Sequence, residues 1–338
     1  MGVGFGLWVK RRWRAGRVGR LVLVTALLGG GSTFGASVAS AAPPSTAHTE
    51  ASSAANAHNA ARGDVSRRVA IRGGRKLYLE CRGTGRPTVM LEAGTGDLAQ
   101  VWSLPPFGPG RAVFPAVARF TRVCAYDRPG TYLLPDELSR SDPVAMPRSV
   151  HDIVRDERAL LRAHVPGPYV LAGHSFGGMA SRLYATTHPR RIAGLVSIDA
   201  QNEDFAAAYK RFLSPEQYTA AVLNPSPPPG LDYPDAELLD LPVSVAQMRQ
   251  AQADTALRRM PLVVLSHSGT IPNPFGFPPD WPIAALEQAF QASQDKLAEL
   301  VPGARHVIAA NSGHYIQLDQ PKLVTGAIRR VVRKARSR

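Results

Sequence analysis

The sequence predicts an α/β fold: a mostly parallel eight-stranded sheet flanked by helices, with a helical lid insertion past its middle. Three observations predict it. Short apolar runs alternate with segments whose apolar residues recur at helical spacing, as in a chain that crosses over between parallel strands. Residues 169–179 read as a strand, a very sharp turn and a helix in immediate succession. Residues able to do chemistry, namely Ser175, Asp199, His314 and the Gly94-Thr95 loop, follow the ends of predicted strands. Open α/β sheets gather reactive groups at those ends.

Each element has its own signal. Residues 67–72 and 76–81 alternate around Gly73-Gly74 and predict a hairpin. Residues 88–91 predict a third strand, running into the small-residue loop Glu92-Ala93-Gly94-Thr95-Gly96-Asp97. A helix is predicted over 112–120 and a fourth strand over 122–126, which ends in Asp127-Arg128-Pro129-Gly130. Ser149 can cap a helix whose apolar face is Val150, Ile153, Val154, Leu160 and Leu161. The strand at 170–172 leads into a helix carrying Met179, Leu183 and Thr187, which His188-Pro189 stops. Residues 194–198 predict the next strand, with Asp199 at its end.

Residues 202–259 break the alternation. Phe205, Tyr209 and Phe212 fall at helical spacing, and the proline-rich run 224–230 suits neither helix nor strand. This segment is read as a helical insertion covering the sheet, a lid, with its aromatic residues packed internally more readily than contacting substrate. Alternation resumes with a fully apolar strand at 262–265 and a loop rich in proline and aromatic residues at 271–282. A helix follows with Ile283, Leu286, Phe290, Leu297 and Leu300, then a last strand at 306–310. Asn311-Ser312-Gly313-His314-Tyr315 and a terminal helix with Leu323, Ala327, Ile328, Val331 and Val332 close the chain.

The first 66 residues stand apart. Lys10, Arg11, Arg12, Arg14, Arg17 and Arg20 precede an apolar run at 21–28 and a small-residue Ala39-Ser40-Ala41 site. That pattern predicts a secretory signal peptide over 1–41, with Arg11-Arg12 permitting a twin-arginine route. The alternative is an uncleaved anchor, against which the Gly29-Gly30-Gly31-Ser32 interruption argues. Residues 42–66, poor in large apolar side chains, predict a flexible linker ahead of a folded domain at 67–338. The signal segment carries six of the charges behind the net +14, and the last ten residues carry six more. The body is near neutral, so basicity does not point to nucleic acid. Neither a metal-ligand cluster nor a cofactor motif is present, and the mature chain should hold no stable membrane span. Export permits a disulfide between the two cysteines, Cys81 and Cys124; two buried thiols is the other reading.

The chemistry centres on Gly173-His174-Ser175-Phe176-Gly177, a G-x-S-x-G pattern. A serine there occupies a strained strand-to-helix turn that lifts its hydroxyl above the sheet. Glycines two residues before and after it allow the backbone to close. The pattern alone is short, and Gly-rich turns also bind phosphate. The flanking strand and helix favour the nucleophile.

Taken together, these residues resemble the α/β-hydrolase superfamily from about residue 67 onward. The resemblance rests on Glu92-Ala93-Gly94-Thr95-Gly96, Tyr126-Asp127-Arg128-Pro129-Gly130, Gly173-His174-Ser175-Phe176-Gly177-Gly178 and Ser312-Gly313-His314, in that order. It implies an esterase-like serine hydrolase with a triad in the order Ser, acid, His, of which Ser175 and His314 match directly. It also implies an oxyanion hole from the N–H groups of Thr95 and Phe176. The second and fourth strands should be neighbours, which would let Cys81 and Cys124 pair. The acid departs from the common pattern: Ser266-His267-Ser268-Gly269-Thr270 follows the strand where many members carry it. Asp199, one strand earlier, is the expected acid, with Asp280 the runner-up and Glu203 or Asp204 behind it. His174 is expected to pack in the turn, Asp127 and Arg128 to form a bracing pair, and His267 has no evident partner. The reading is an exported hydrolase acting on a small-molecule ester, less readily an amide. The alternatives are an acyltransferase on the same triad and a non-catalytic binding module.

Overall fold

In the computed structural model, residues 63–338 are described except 135, 225–230, 232, 252–256 and 258. The expected signal peptide, most of the linker and most of the proline-rich run lie outside the described residues.

Ten strands and nine α-helices run in chain order among the described residues. The strands are β1 (Val65–Ala70), β2 (Lys76–Arg82), β3 (Thr88–Glu92), β4 (Val123–Tyr126), β5 (Tyr132–Leu134), β6 (Glu137–Leu138), β7 (Tyr169–His174), β8 (Ile192–Ile198), β9 (Leu262–His267) and β10 (Arg305–Ala309). The helices are α1 (Val113–Val117), α2 (Val150–His164), α3 (Phe176–Thr187), α4 (Glu203–Phe212), α5 (Pro215–Tyr218), α6 (Leu241–Ala251), α7 (Ile283–Glu299), α8 (Ile316–Asp319) and α9 (Pro321–Arg336).

Eight strands form one sheet in the order β1-β2-β4-β3-β7-β8-β9-β10. The β1–β2 and β2–β4 pairs are antiparallel, and every later pair is parallel. A parallel sheet with helices on both faces needs strands that are apolar on both sides. The central strands meet that demand. Met90, Tyr169 and Leu171 enter the core under α2, α3, α4 and α7, while Val89, Leu91, Val170 and Ala172 enter the core under α1 and α9.

The expected second–fourth strand pairing is present. Cys81 lies opposite Cys124 in the β2–β4 register, and the two form a disulfide. Ser149 caps α2 through a reciprocal capping box with Asp152. Two boundaries differ from expectation. β1 begins at Val65, inside the segment read as linker, because its pairing with β2 runs out to Val65 opposite Cys81. The helix predicted over 112–120 stops at Val117, since Phe120 N–H turns back to Val117 O and Thr121 donates its hydroxyl to Pro87 O on the way into β4. Residues 202–259, so far as described, hold α4, α5 and α6 with irregular chain at 233–240, and pack through α4 onto α7. No described helix is long and apolar enough to cross a membrane.

One core residue contradicts its surroundings. Glu157 on α2 is fully buried, and neither carboxylate oxygen has a hydrogen-bond partner. Burial, with the Glu92 carboxylate adding to it, pushes its pKa well above the ordinary range. A carboxyl raised on folding costs stability as pH climbs from its unfolded value toward its folded one. Glu157→Gln removes that cost. It is expected to raise Tm at pH 8 by roughly 3–6 °C and to change it little at pH 5. Thermal melts at the two pH values check this; an equal shift at both would contradict it.

Candidate active site

The β7–α3 turn carries Ser175 at φ 52° and ψ −125°, a conformation L-residues avoid. Three backbone hydrogen bonds hold it. Ser175 N–H donates to Ile198 O at 3.1 Å, and Ser175 O accepts from Gly178 and Gln201 N–H, both at 2.9 Å. The two flanking glycines are explained by space. A Cβ on Gly173 would lie 2.4 Å from Gly177 O, and one on Gly177 would lie 2.4 Å from Ala93 O. The turn therefore closes onto the loop after β3, and Phe176 N–H falls at the first position of α3, where intrahelical bonding does not use it.

Asp199 follows β8 and is fully buried, also with positive φ, at 47°. Its N–H donates to Leu265 O at 2.7 Å, which fixes it beside the end of β9. Its Oδ2 accepts from His314 Nδ1 at 2.7 Å. Its Oδ1 accepts from His267 N–H at 2.8 Å, and His267 Nδ1 lies 2.8 Å from Oδ2 and 3.0 Å from Oδ1. Burial raises the Asp199 carboxyl, but the charge and hydrogen bonds of His267 and then His314 outweigh it and hold the group well below the carboxylate range.

His314 is buried in the loop after β10. Its backbone is held from two sides: His174 Nε2–H donates to His314 O at 3.0 Å, and Gly313 N–H donates to Asp319 Oδ2 at 2.9 Å. Burial, with His314 adding to it, lowers the His174 imidazole well below its ordinary value, so His174 stays neutral. It packs in the turn as expected and also steers the His314 loop.

Ser175, Asp199, His314 and Thr95 line one cavity, together with Phe205, Tyr209, Phe275 and Phe290. The space is small, about 30 Å³, close to one water. A larger cavity of about 340 Å³ adjoins it beyond His314 and Phe275, lined by Phe107, Ile271, Pro272 and Tyr315. Phe205 and Tyr209 pack against each other, with ring centroids 4.8 Å apart, and both line the cavity.

Asp280, the runner-up acid, is exposed, and its carboxylate accepts from Gln217 at 3.2 Å. That corrects its candidacy: the 271–282 loop carries it away from the cavity. Glu203 is paired with Arg182, and Asp204 with Lys296.

Asp127 and Arg128 do not pair with each other, which is a second correction. Asp127 accepts from Ala99 N–H at 3.0 Å and from Arg140. Arg128 donates to Glu92, Glu237, Ala93 O and Gly94 O, all within 2.9 Å. Glu237 also accepts from Gly96 N–H at 2.7 Å. Both residues brace the loop that carries Thr95, each through different partners.

Sequence reasoning missed two participants. His267 had no evident partner, and its partners are Asp199 and Glu287. No local signal marks it: Ile198 of β8 lies opposite Leu265 of β9, and that register brings Asp199 beside His267. Glu237 had no signal, being separated from Arg128 by 109 residues. Among the described residues no group of three or more His, Cys, Asp or Glu side chains could hold a metal ion.

The alpha/beta hydrolase family model matches residues 89–327. An uncharacterized Bacillus subtilis protein, YqjL, is 25% identical over 248 residues, 73% of this chain and 84% of its own. An uncharacterized Schizosaccharomyces pombe protein is 38% identical over 104 residues, 30% of this chain but only 18% of its own, so this chain spans under a fifth of that relative. Among solved structures, a carboxylesterase of the thaumarchaeon Nitrososphaera gargenis superposes with TM-score 0.54 at 15% identity, covering 80% of this chain and 99% of that one. An E-2-(acetamidomethylene)succinate hydrolase gives 0.52 at 20% identity, with 80% and 99% covered. At these identities the likeness is one of fold.

Proposed function

Because the chain belongs to the alpha/beta hydrolase family, we propose that it is an exported serine hydrolase that cleaves a carboxylic ester through an acyl-enzyme. The observation that carries this reading is the His314–Asp199 contact of 2.7 Å in a cavity lined by Ser175 on its strained turn.

A serine hydroxyl is a poor nucleophile at neutral pH. His314, with Nδ1–H committed to Asp199, leaves its other ring nitrogen to take the Ser175 proton as Oγ attacks the ester carbonyl. Asp199 fixes that tautomer and stabilises the imidazolium. The tetrahedral oxyanion is met by Thr95 and Phe176 N–H, each such donor being worth about 3–4 kcal/mol. The imidazolium then protonates the departing alcohol, and water repeats the sequence on the acyl-enzyme.

Cavity shape suggests the substrate's proportions. The leaving alcohol departs on the side of the proton donor, His314, and the cavity of about 340 Å³ lies on that side. The tight space around Ser175, bounded by Phe205, Tyr209 and Phe290, suits a short acyl group. Export is supported by the signal-like N-terminus and by the Cys81–Cys124 disulfide, a bond that persists in oxidising compartments.

A fluorophosphonate probe is expected to label the wild type on Ser175, and Ser175→Ala should lose both the label and ester turnover. Across nitrophenyl esters, activity should fall as the acyl chain lengthens from acetyl to octanoyl. Labelling that persists in Ser175→Ala would overturn the reading. Product partition toward an added alcohol instead of water would redirect it to acyl transfer.

A further inference from the structure

We propose that His267 and Glu287 form a buried charged pair that positions Asp199 for His314, with His267 carrying a fixed positive charge behind the acid–base histidine. The inference rests on the reading of His314 as general base, and it concerns a residue that touches Asp199 rather than substrate.

The geometry favours a doubly protonated His267, although Gln291 Nε2 also lies 3.3 Å from its Nε2. Its Nδ1 faces the Asp199 carboxylate at 2.8 and 3.0 Å, and its Nε2 faces Glu287 Oε1 at 2.7 Å. An ionised carboxylate can only accept, so a ring held between two of them donates from both nitrogens and is an imidazolium. Glu287 is itself arranged as an acceptor, because Gln291 Nε2 donates to the same Oε1 at 2.8 Å. The other Glu287 oxygen, Oε2, is buried with no hydrogen-bond partner, so the contacts that hold this carboxylate converge on Oε1. The ring has no exposed surface. It stacks on Phe290 at 5.0 Å and meets the Phe275 edge at 5.2 Å. The titratable groups that face it are Asp199 from the end of β8, Glu287 from α7 and, across the shared Oδ2, His314 from the loop after β10. Burial pulls this imidazolium down, but Asp199 and then Glu287 outweigh burial and push it up to about 10.

Two consequences follow for Asp199. Its carboxylate cannot rotate, because His267 holds it with a backbone and a ring N–H at once. Its charge faces two imidazoles through one oxygen, and the His267 cation opposes the field that this carboxylate exerts at His314. His267 and Glu287 thus place two opposite charges behind the carboxylate that faces His314.

The test substitutes charge while keeping the donor. His267→Asn retains an N–H toward Asp199 but removes the cation. The acid limb of kcat/KM is expected to move to higher pH by about one unit. The double variant His267→Asn with Glu287→Gln removes both opposite charges and should return the limb toward the wild-type position. A merely structural His267 would lower kcat or Tm and leave the limb in place. Imidazole nitrogen NMR of the wild-type protein supplies a second reading that needs no variant to fold: both His267 nitrogens should stay protonated from about pH 6 to pH 8.5. A neutral His267 at pH 7, or an unmoved limb in a folded His267→Asn, overturns the proposal. Doubly protonated His267 in a protein whose Ser175 takes no label would sink the serine mechanism and leave the pair standing.

Discussion

Asp199→Asn is expected to lower kcat about 1,000- to 10,000-fold while the chain stays folded. Asparagine is the right substitution because position 199 has φ 47°, a region that Asn tolerates better than most residues. Its amide oxygen can still accept from His267 N–H, now 2.8 Å from Oδ1. What it cannot do is accept at both positions. An NH₂ facing His314 Nδ1 forces the ring into the opposite tautomer, with its proton on the nitrogen that the proposed mechanism needs free to accept. Nucleophile activation then fails at the first step, with KM little changed. The rate of fluorophosphonate labelling should fall in parallel with kcat. Asp280→Asn should stay within about twofold of wild type, as expected of an exposed surface substitution. An Asp199→Asn enzyme within tenfold of wild type would remove Asp199 from the mechanism.

The same site sets a pH window for stability. The Asp199 carboxyl is held low in the folded state, so its contribution is complete above its unfolded pKa of about 4 and is lost as pH falls. His267 is raised to about 10 in the folded state, so its contribution is complete below its unfolded pKa of about 6.5 and fades as pH climbs toward 10. Together they stabilise the fold most between roughly pH 4 and 6.5. Asp199→Asn should flatten the acid side of that profile.

The legible and illegible parts of this site differ in kind. Ser175 could be read because its turn imposes a local rule: glycines are needed where the backbone closes on Gly177 O and Ala93 O. His314 could be read from its place after the last strand. The sheet was legible because two-sided burial requires nearly continuous apolar runs, and β3, β7 and β9 are fully buried along their length. Asp199 could be placed only through the resemblance, since a carboxylate after a strand has many uses. His267 was harder. Its role depends on the lateral register of β8 and β9, and on Glu287 reaching down from α7. Neither leaves a mark in the local sequence. The helix over 112–120 was overestimated for a related reason: its end is set by the Thr121–Pro87 contact, which spans two elements.

The longest-range dependence lies under the loop proposed to supply the oxyanion hole, where Arg128 yields the second large expected effect. Arg128 is 1% exposed and donates through three nitrogens to Glu237, Glu92, Ala93 O and Gly94 O. Glu92 needs that cation: burial pushes its carboxyl up to about 7 even with Arg128 beside it. Glu237 comes from the insertion and also receives Gly96 N–H, so one ion cluster ties the insertion to the loop that presents Thr95. Arg128→Met strands two buried carboxylates without a cation. Breaking a buried pair in this way costs about 3–5 kcal/mol, which should lower Tm by roughly 10 °C or more. Arg128→Lys separates stability from chemistry. A lysine restores the charge but cannot reproduce the fork that grips Glu237 through two nitrogens and the Ala93 and Gly94 carbonyls. Its Tm should recover in part, whereas kcat should stay about 100-fold below wild type because the Thr95 N–H is no longer held at the oxyanion. Melting curves and steady-state kinetics on the two variants decide the matter. Full kcat in Arg128→Lys would mean that the loop keeps its shape without the guanidinium, and that Arg128 serves only to neutralise the buried acids.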